Sequence, residues 1–331
     1  MRLFRRLVSL LLLLAVLAGA GLAWVALAPV GLSSSPLDFQ VQPGSSARSA
    51  ARQMAEAGVD VPPWLFEALV RASRSAASLK AGSYEVERGI TLWELLQKLT
   101  RGDVSQAELA IIEGWNFRQL REKLNAQPEL RHDSQGLSDR EILQRIGAAE
   151  AHPEGLFFPD TYLFSKQSSD LELLARAYRA MQKRLASEWA ARDPNLPLQH
   201  PYQALILASI VEKETGKAAD RPHIAAVFVN RLRQGMLLQT DPTVIYGMGP
   251  RFDGNLRRAD LLADTPYNTY TRPGLPPTPI ALPGQAALQA ALHPSSSPAL
   301  YFVARGDGSS HFSNSLEAHN QAVNKYQRGG R

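Results

Sequence analysis

The most suggestive chemistry in the chain sits near the end of one helical segment, where Glu212 and Glu214 flank Lys213. Residues 202–215 read as a helix, and two steps along a helix turn about 200°. The two carboxylates therefore face different ways and cannot serve one site from the same face. Glu214 follows Val211, Ile210 and Leu207, an apolar stripe. A carboxyl held against such a stripe loses hydration and its pKa rises. That suits a general acid protonating a leaving oxygen near neutral pH. Glu212 follows Ser209 and Ala208, a more polar flank. Glu212, Lys213 and Glu214 also fit a solvated helix end before Gly216, and the pattern alone leaves that alternative open.

Other polar groups are less sharply defined. Asn230 and Arg231 lie on the next helix, where a structural role fits equally well. Gln239, Thr240, Asp241 and Thr243 form a polar loop. Tyr267-Asn268-Thr269-Tyr270 interleaves rings with an amide and a hydroxyl. Such rings stack on sugar faces, but the same residues also make turns. Glu154 and Asp160 bracket the aromatic segment Gly155-Leu156-Phe157-Phe158-Pro159. His293 and His311 are isolated, and zinc-ligand spacings are absent. There is no phosphate-cradling loop, no nucleophile elbow and no nucleic-acid motif; Gly247-Met248-Gly249 lacks the rest of a dinucleotide fingerprint. The chain has no cysteine, which excludes disulfides, thiolate nucleophiles and a lipid-anchored cysteine.

These residues need a scaffold, and the hydrophobic periodicity supplies one. From 170 the chain turns helical, over 170–192, 202–215 and 222–233, the last opened by Pro222. After Gly235 it becomes loop-rich, with a helix at 284–292, a strand at 300–304 and a last helix at 315–327. Upstream, Phe39-Gln40-Val41-Gln42 alternates like a strand, and helices are expected over 46–57 and 62–77, the second with Trp64, Leu65, Leu69 and Val70 on its apolar side. Residues 80–86 read as a turn into a strand. Thr91 caps a helix with Leu92, Leu95, Leu96 and Leu99 on one face, residues 104–113 alternate, and 116–126 form a helix followed by a polar stretch to 139. The fold class is α+β, with a small unit over 38–113 and a larger mixed helix and strand unit over 114–331 carrying the glutamate on a helix.

The compartment is written at the N-terminus. Leu7 to Val30 is an uncharged run, long enough to span the roughly 30 Å bilayer core. Arg2, Arg5 and Arg6 precede it and no charge follows until Asp38. The positive-inside rule puts residues 1–6 in the cytoplasm, 7–30 in the membrane, 31–37 in a Ser/Pro-rich linker, and the remainder across the membrane. A cleaved signal peptide ending near Ala18-Gly19-Ala20 is the competing reading; the run continues well past a usual signal core. The formal net charge of +5 favours an anionic partner or simply aids solubility. Translocation argues against a nucleic-acid partner.

Several segments together resemble the YceG-like family of endolytic murein transglycosylases. They are Glu154-Gly155-Leu156-Phe157-Phe158-Pro159-Asp160-Thr161-Tyr162, Ala208 to Thr215, Phe228-Val229-Asn230-Arg231-Leu232, Leu238 to Gly247, Tyr267 to Tyr270, Gly274-Leu275-Pro276-Pro277 and His311-Phe312. The resemblance runs almost the whole length and is strongest over about 206–320. It implies a single-pass inner-membrane protein with a LysM-like small domain and a periplasmic catalytic domain. It implies cleavage of the β-1,4 bond between N-acetylmuramic acid and N-acetylglucosamine inside nascent strands, leaving 1,6-anhydro-N-acetylmuramic acid ends and terminating strand elongation near the cell-wall synthases. The family's essential glutamate falls on Glu214, with Glu212 as the fallback. Asn230, Gln239, Thr240, Asn268 and Tyr270 are candidates for orienting the glycan. That chemistry requires no metal and no organic cofactor. Two other readings fit the residues: a membrane-anchored glycan-binding protein without catalysis, and a scaffold that recruits synthases.

Overall fold

The computed structural model describes residues 2–329; Met1 of the expected tail and Gly330 and Arg331 of the expected catalytic segment lie outside the described residues. The chain divides into two compact units, one of residues 1–108 with 163–168 and one of 109–162 with 169–331. Helices and strands are mixed in an α+β fold.

The first unit runs α1 (Arg2–Leu27), β1 (Gly31–Leu32), β2 (Leu37–Val41), α2 (Ala47–Ala57), β3 (Val59–Asp60), α3 (Pro63–Ala72), β4 (Gly82–Val86) and α4 (Leu92–Arg101). Within α1, Ser9–Leu27 is long and apolar enough to cross a membrane, and it is the one such helix among the described residues. Ala26 and Val30, at its end, are already buried in the core of the unit. The segment expected as a linker is structured, because β1 pairs antiparallel with β3 and β2 begins at Leu37.

β2 alternates buried and exposed residues and pairs antiparallel with β4, Phe39 opposite Tyr84. Their rings stack at 5.5 Å. α4 forms as its sequence dictates. Thr91 and Glu94 exchange hydrogen bonds in a capping box, and Leu92, Leu95, Leu96 and Leu99 are all buried, each contributing about 2–3 kcal/mol by burial. α3 is shorter than expected. Phe66, Leu69 and Val70 form its buried face, and Trp64 is 67 % exposed.

The chain continues through β5 (Gln106–Ala110), α5 (Phe117–Asn125), α6 (Asp139–Ile146), β6 (Thr161–Ser165), α7 (Asp170–Ala191), α8 (Pro201–Glu214), α9 (Arg221–Arg233), α10 (Asp241–Met248), α11 (Arg258–Leu262), α12 (Gln285–Leu292), β7 (Tyr301–Ala304), β8 (Ser310–Ser313) and α13 (Leu316–Val323). In the second unit α8 is the central element. Every residue from Ala204 to Val211 is buried, and α7, α9, α10 and α12 pack around it. Even Ser209 is enclosed, donating to the Ile206 carbonyl and accepting from the Ile280 N–H. A helix that is apolar all round lies inside its domain. The two-sided reading of α8 is therefore corrected: its middle has no polar flank.

Several elements were not expected, α6, β8 and α10 among them. α6 starts at a Ser138–Glu141 capping box inside the stretch read as polar loop. β8 pairs antiparallel with β7, Phe302 opposite Phe312. α10 occupies the supposed loop after Thr240, its first turn holding Pro242, where the missing proline N–H leaves no helical bond unmade.

Candidate active site

The last turn of α8 delivers its two glutamates to opposite sides of the core. Glu212 is enclosed, its side chain 6 % exposed. One oxygen accepts the Gly284 N–H at 2.9 Å and the other lies 3.6 Å from the Arg221 guanidinium. Burial raises its pKa, against the pull of the Gly284 bond. Gly284 precedes α12 where space is lacking, since a Cβ would fall 1.8 Å from a Glu113 oxygen. Glu212 thus fastens the start of α12 and the start of α9 to α8. Only Lys213 between them behaves as a solvated helix end, exposed and donating to the Gly114 carbonyl.

Glu214 points to the other side, into a cleft of about 580 Å³ lined also by Arg231, Gln239, Thr240, Asp241, Tyr270 and Tyr301. It is half-buried. Thr240 Oγ1 donates a short hydrogen bond to Oε1, and no other hydrogen bond reaches this carboxyl among the described residues. Burial pushes the Glu214 carboxyl up to about 7; the Thr240 bond opposes the shift and the neighbouring Asp241 charge adds to it. Asp241 in turn accepts from the Tyr270 hydroxyl.

What holds Thr240 in place is a set of buried hydrogen bonds between two loops. The Gln239 N–H donates to the Thr269 carbonyl at 3.0 Å, and the Thr240 N–H to Thr269 Oγ1 at 3.1 Å. Thr243 Oγ1 lies 2.9 Å from Thr269 Oγ1 and donates to the Thr240 carbonyl. The buried Arg231 guanidinium donates to the carbonyls of Leu237, Leu238 and Leu300 and to Gln239 Oε1. One fixed cation with several donors satisfies three carbonyls that loop backbone would otherwise bury unpaired.

Of the residues expected to orient substrate, Gln239, Thr240 and Tyr270 line this cleft. Asn230 and Asn268 are placed elsewhere. The Asn230 amide donates to the carbonyls of Ser297 and Ala299. The buried Asn268 amide donates to those of Asp260, Leu261 and Ala263 and accepts the Tyr270 N–H. Both amides are spent on shaping loops. Among the described residues no cluster of three or more His, Asp or Glu side chains is placed to hold a metal.

A further buried carboxyl has no chemical role assigned by the sequence, only its place beside an aromatic segment at the head of one family-like stretch. Glu154, 2 % exposed, accepts the Phe117 N–H at the start of α5 and the Tyr246 hydroxyl of α10, each at 3.0 Å. Burial pushes it up to about 7, against both bonds. Its glycine neighbour adopts φ +80°, and a Cβ there would lie 2.5 Å from Pro279.

Residues 39–325 match the model of the YceG-like family. The chain belongs to that family. A Bacillus subtilis (strain 168) protein named endolytic murein transglycosylase is 31 % identical over 89 % of this chain and 86 % of its own length. One of the same name from Streptococcus pneumoniae serotype 2 is 28 % identical over 96 % of this chain; the match covers 64 % of that longer protein. The crystal structure of a YceG-like protein from Listeria monocytogenes superposes with a TM-score of 0.54 at 29 % identity, covering 87 % of this chain and 99 % of that one. Within this YceG-like chain, the helix carrying Glu214, the Thr240 loop and the Tyr267–Tyr270 loop all lie inside the matched range.

Proposed function

We propose that this chain is a peptidoglycan lytic transglycosylase, a lyase that cuts glycan strands internally, with Glu214 as its single acid/base. The observation that carries this reading is the setting of the Glu214 carboxyl: held through one oxygen by Thr240, open to the cleft beside it, and with its pKa pushed up to about 7 by burial. The names of its relatives supply the substrate.

The chemistry needs only one such group. The Glu214 carboxyl protonates the bridging oxygen as the bond from the muramic acid anomeric carbon breaks. The C6 hydroxyl of the same sugar then attacks that carbon and gives its proton to the Glu214 carboxylate, restoring the acid. The product is a 1,6-anhydro end, and no water is consumed. Hydrolysing glycosidases need a second carboxyl to activate water or to attack; here the sugar's own hydroxyl replaces it. Gln239 and Tyr270 orient the glycan, and Thr240 orients Glu214. Glu212, both of whose oxygens are engaged, serves as a structural anchor. Asn230 and Asn268 shape the loops.

The remainder of the reading follows the same resemblance. Ser9–Leu27 anchors the chain once in the inner membrane, with the arginine-bearing end cytoplasmic and both units periplasmic. The small unit's β2–α2–β3–α3–β4 order, with β2 paired to β4 and two helices between them, supports reading it as a LysM-like glycan-binding domain. Cutting nascent strands would end their elongation beside the synthases that make them.

The test is to incubate the protein with uncross-linked nascent peptidoglycan and read the ends by mass spectrometry, with Glu214→Gln alongside. Anhydro ends from the parent alone are expected. Reducing ends would mean water attack and a hydrolase. Intact strands that remain bound would mean a glycan-binding module.

A further inference from the structure

The cleft that holds Glu214 has lining that the proposed function leaves unused. Most polar atoms around the carboxyl are committed to one another. Thr240 Oγ1 donates to Glu214 and the Tyr270 hydroxyl to Asp241. The Arg231 guanidinium is spent on three carbonyls and Gln239. β7 and α13 complete the lining with Tyr301 and His319.

His319 is half-buried. Its ring stacks on Tyr301, with centroids 5.2 Å apart and planes inclined by 24°. The Arg231 guanidinium lies 5.0 Å from the centroid of the same tyrosine ring. Burial lowers the imidazole pKa, and the Arg231 charge lowers it further. The ring is therefore neutral at neutral pH, with one nitrogen to donate and one to accept. Nδ1 is enclosed and has no hydrogen-bond partner among the described residues. An unpaired buried nitrogen costs stability, and a phenyl ring would fill the same place without that cost. Packing alone thus gives no reason for a histidine here. Because Nδ1 is closed to a ligand, what the imidazole offers the cleft is Nε2.

We propose that His319 is a further substrate-contacting residue, making one hydrogen bond through Nε2 to a hydroxyl or acetamido group of an amino sugar seated beside Glu214. This deepens the transglycosylase reading and rests on it for the identity of the sugar. A neutral ring makes that bond without drawing in a competing anion. The Tyr301 face fixes the plane of the imidazole before substrate arrives, so little ordering is left to the binding step.

The experiment measures binding without turnover and separates the nitrogen from the ring. Full-length Glu214→Gln protein in detergent is titrated calorimetrically with peptide-free GlcNAc–MurNAc octasaccharide, alone and with a second substitution at 319. His319→Phe keeps a ring against Tyr301 and removes both nitrogens; affinity should fall about tenfold, the worth of one hydrogen bond. His319→Gln loses the ring but carries an amide that can replace Nε2, and should bind within about threefold of the single variant. Urea unfolding should place the Phe variant at or above the single variant in stability, since the unpaired nitrogen is gone. If the Phe variant fails to fold, His319→Ala takes its place, and the Gln variant should bind about tenfold more tightly than it. Affinities in the opposite order, or equal at these substitutions, would overturn the proposal and make His319 a packing residue. Anhydro ends from the parent without the expected order would sink the His319 contact alone. The expected order without any anhydro product would sink the catalytic reading and leave His319 a glycan contact.

Discussion

Replacing Glu214 by Gln should do two separable things, and the second is the sharper test. Activity should fall by about a hundred- to ten-thousand-fold, the usual worth of a positioned acid/base. Stability should change with pH. A carboxyl whose folded pKa is raised from 4.5 to about 7 binds its proton more tightly in the folded chain. Its contribution is therefore fully present below about 4.5 and is lost as the pH rises through about 7. The full shift corresponds to about 3 kcal/mol against the ionised folded protein. Because Glu214 is half-buried and the cleft admits water, about 2 kcal/mol is the expected size. Gln keeps the acceptor for Thr240 and removes the charge. The variant should thus match the parent near pH 4.5 and exceed it by about 2 kcal/mol at pH 8. Glu154 contributes a slope of the same sign to both proteins and cancels in the difference. Urea unfolding of parent and variant, followed by a tryptophan signal across this pH range, reads the comparison directly. A difference that stays flat with pH would refute the claim that the cleft holds Glu214 protonated.

Three further outcomes follow from the same geometry. Thr240→Val keeps the volume but removes the donor that lowers the Glu214 pKa, so the alkaline limb of the pH–rate profile should move to higher pH, with a rate loss of about tenfold at neutrality. Tyr246→Phe takes one of two donors from buried Glu154 and should cost about 1–3 kcal/mol in denaturant unfolding, because the abandoned oxygen stays enclosed. Gly155→Ala must accommodate φ +80° and a Cβ 2.5 Å from Pro279; a loss of about 2–4 kcal/mol is expected in the same assay.

Much of the fold was legible because the strongest signals are local. Thr91 and Glu94 make their capping box within one turn, and the apolar face of α4 repeats at helical spacing. The starts of α8 and α9 are marked by prolines in the first turn. The failures share a cause as well. Thr240-Asp241-Pro242, with glycines at 247 and 249, carries the residues of a turn, and only the packing of α10 against α8 turns that dipeptide punctuation into a helix start. The Ser/Pro-rich segment after α1 reads as a linker by composition, but Val59 and Asp60, far along the chain, pair with Leu32 and Gly31. Non-local pairing leaves no trace in a window of neighbouring residues.

The site was less legible than the fold, and the reason is instructive about carboxyls. Residue type and helical spacing singled out Glu214 over Glu212 on the premise of an apolar stripe with a polar flank, yet α8 is enclosed on all sides. Burial alone does not choose between them. Glu154, Glu212 and Glu214 all have raised pKa values, with burial as the leading cause. Glu154 has both oxygens occupied by Phe117 and Tyr246, and Glu212 has its own facing Gly284 and Arg221. A proton can leave or join either carboxyl only at the expense of a structural bond. Glu214 is held through one oxygen and borders an open cleft. What sets Glu214 apart is burial combined with one vacant face, the pairing that its proposed role requires, and the second condition is set by Thr240, Asp241 and Tyr270, which lie 26 or more residues along the chain from it. The same logic explains the amides. Asn230 and Asn268 are as suited to sugars by type as Gln239, and only their buried carbonyl partners remove them from the cleft.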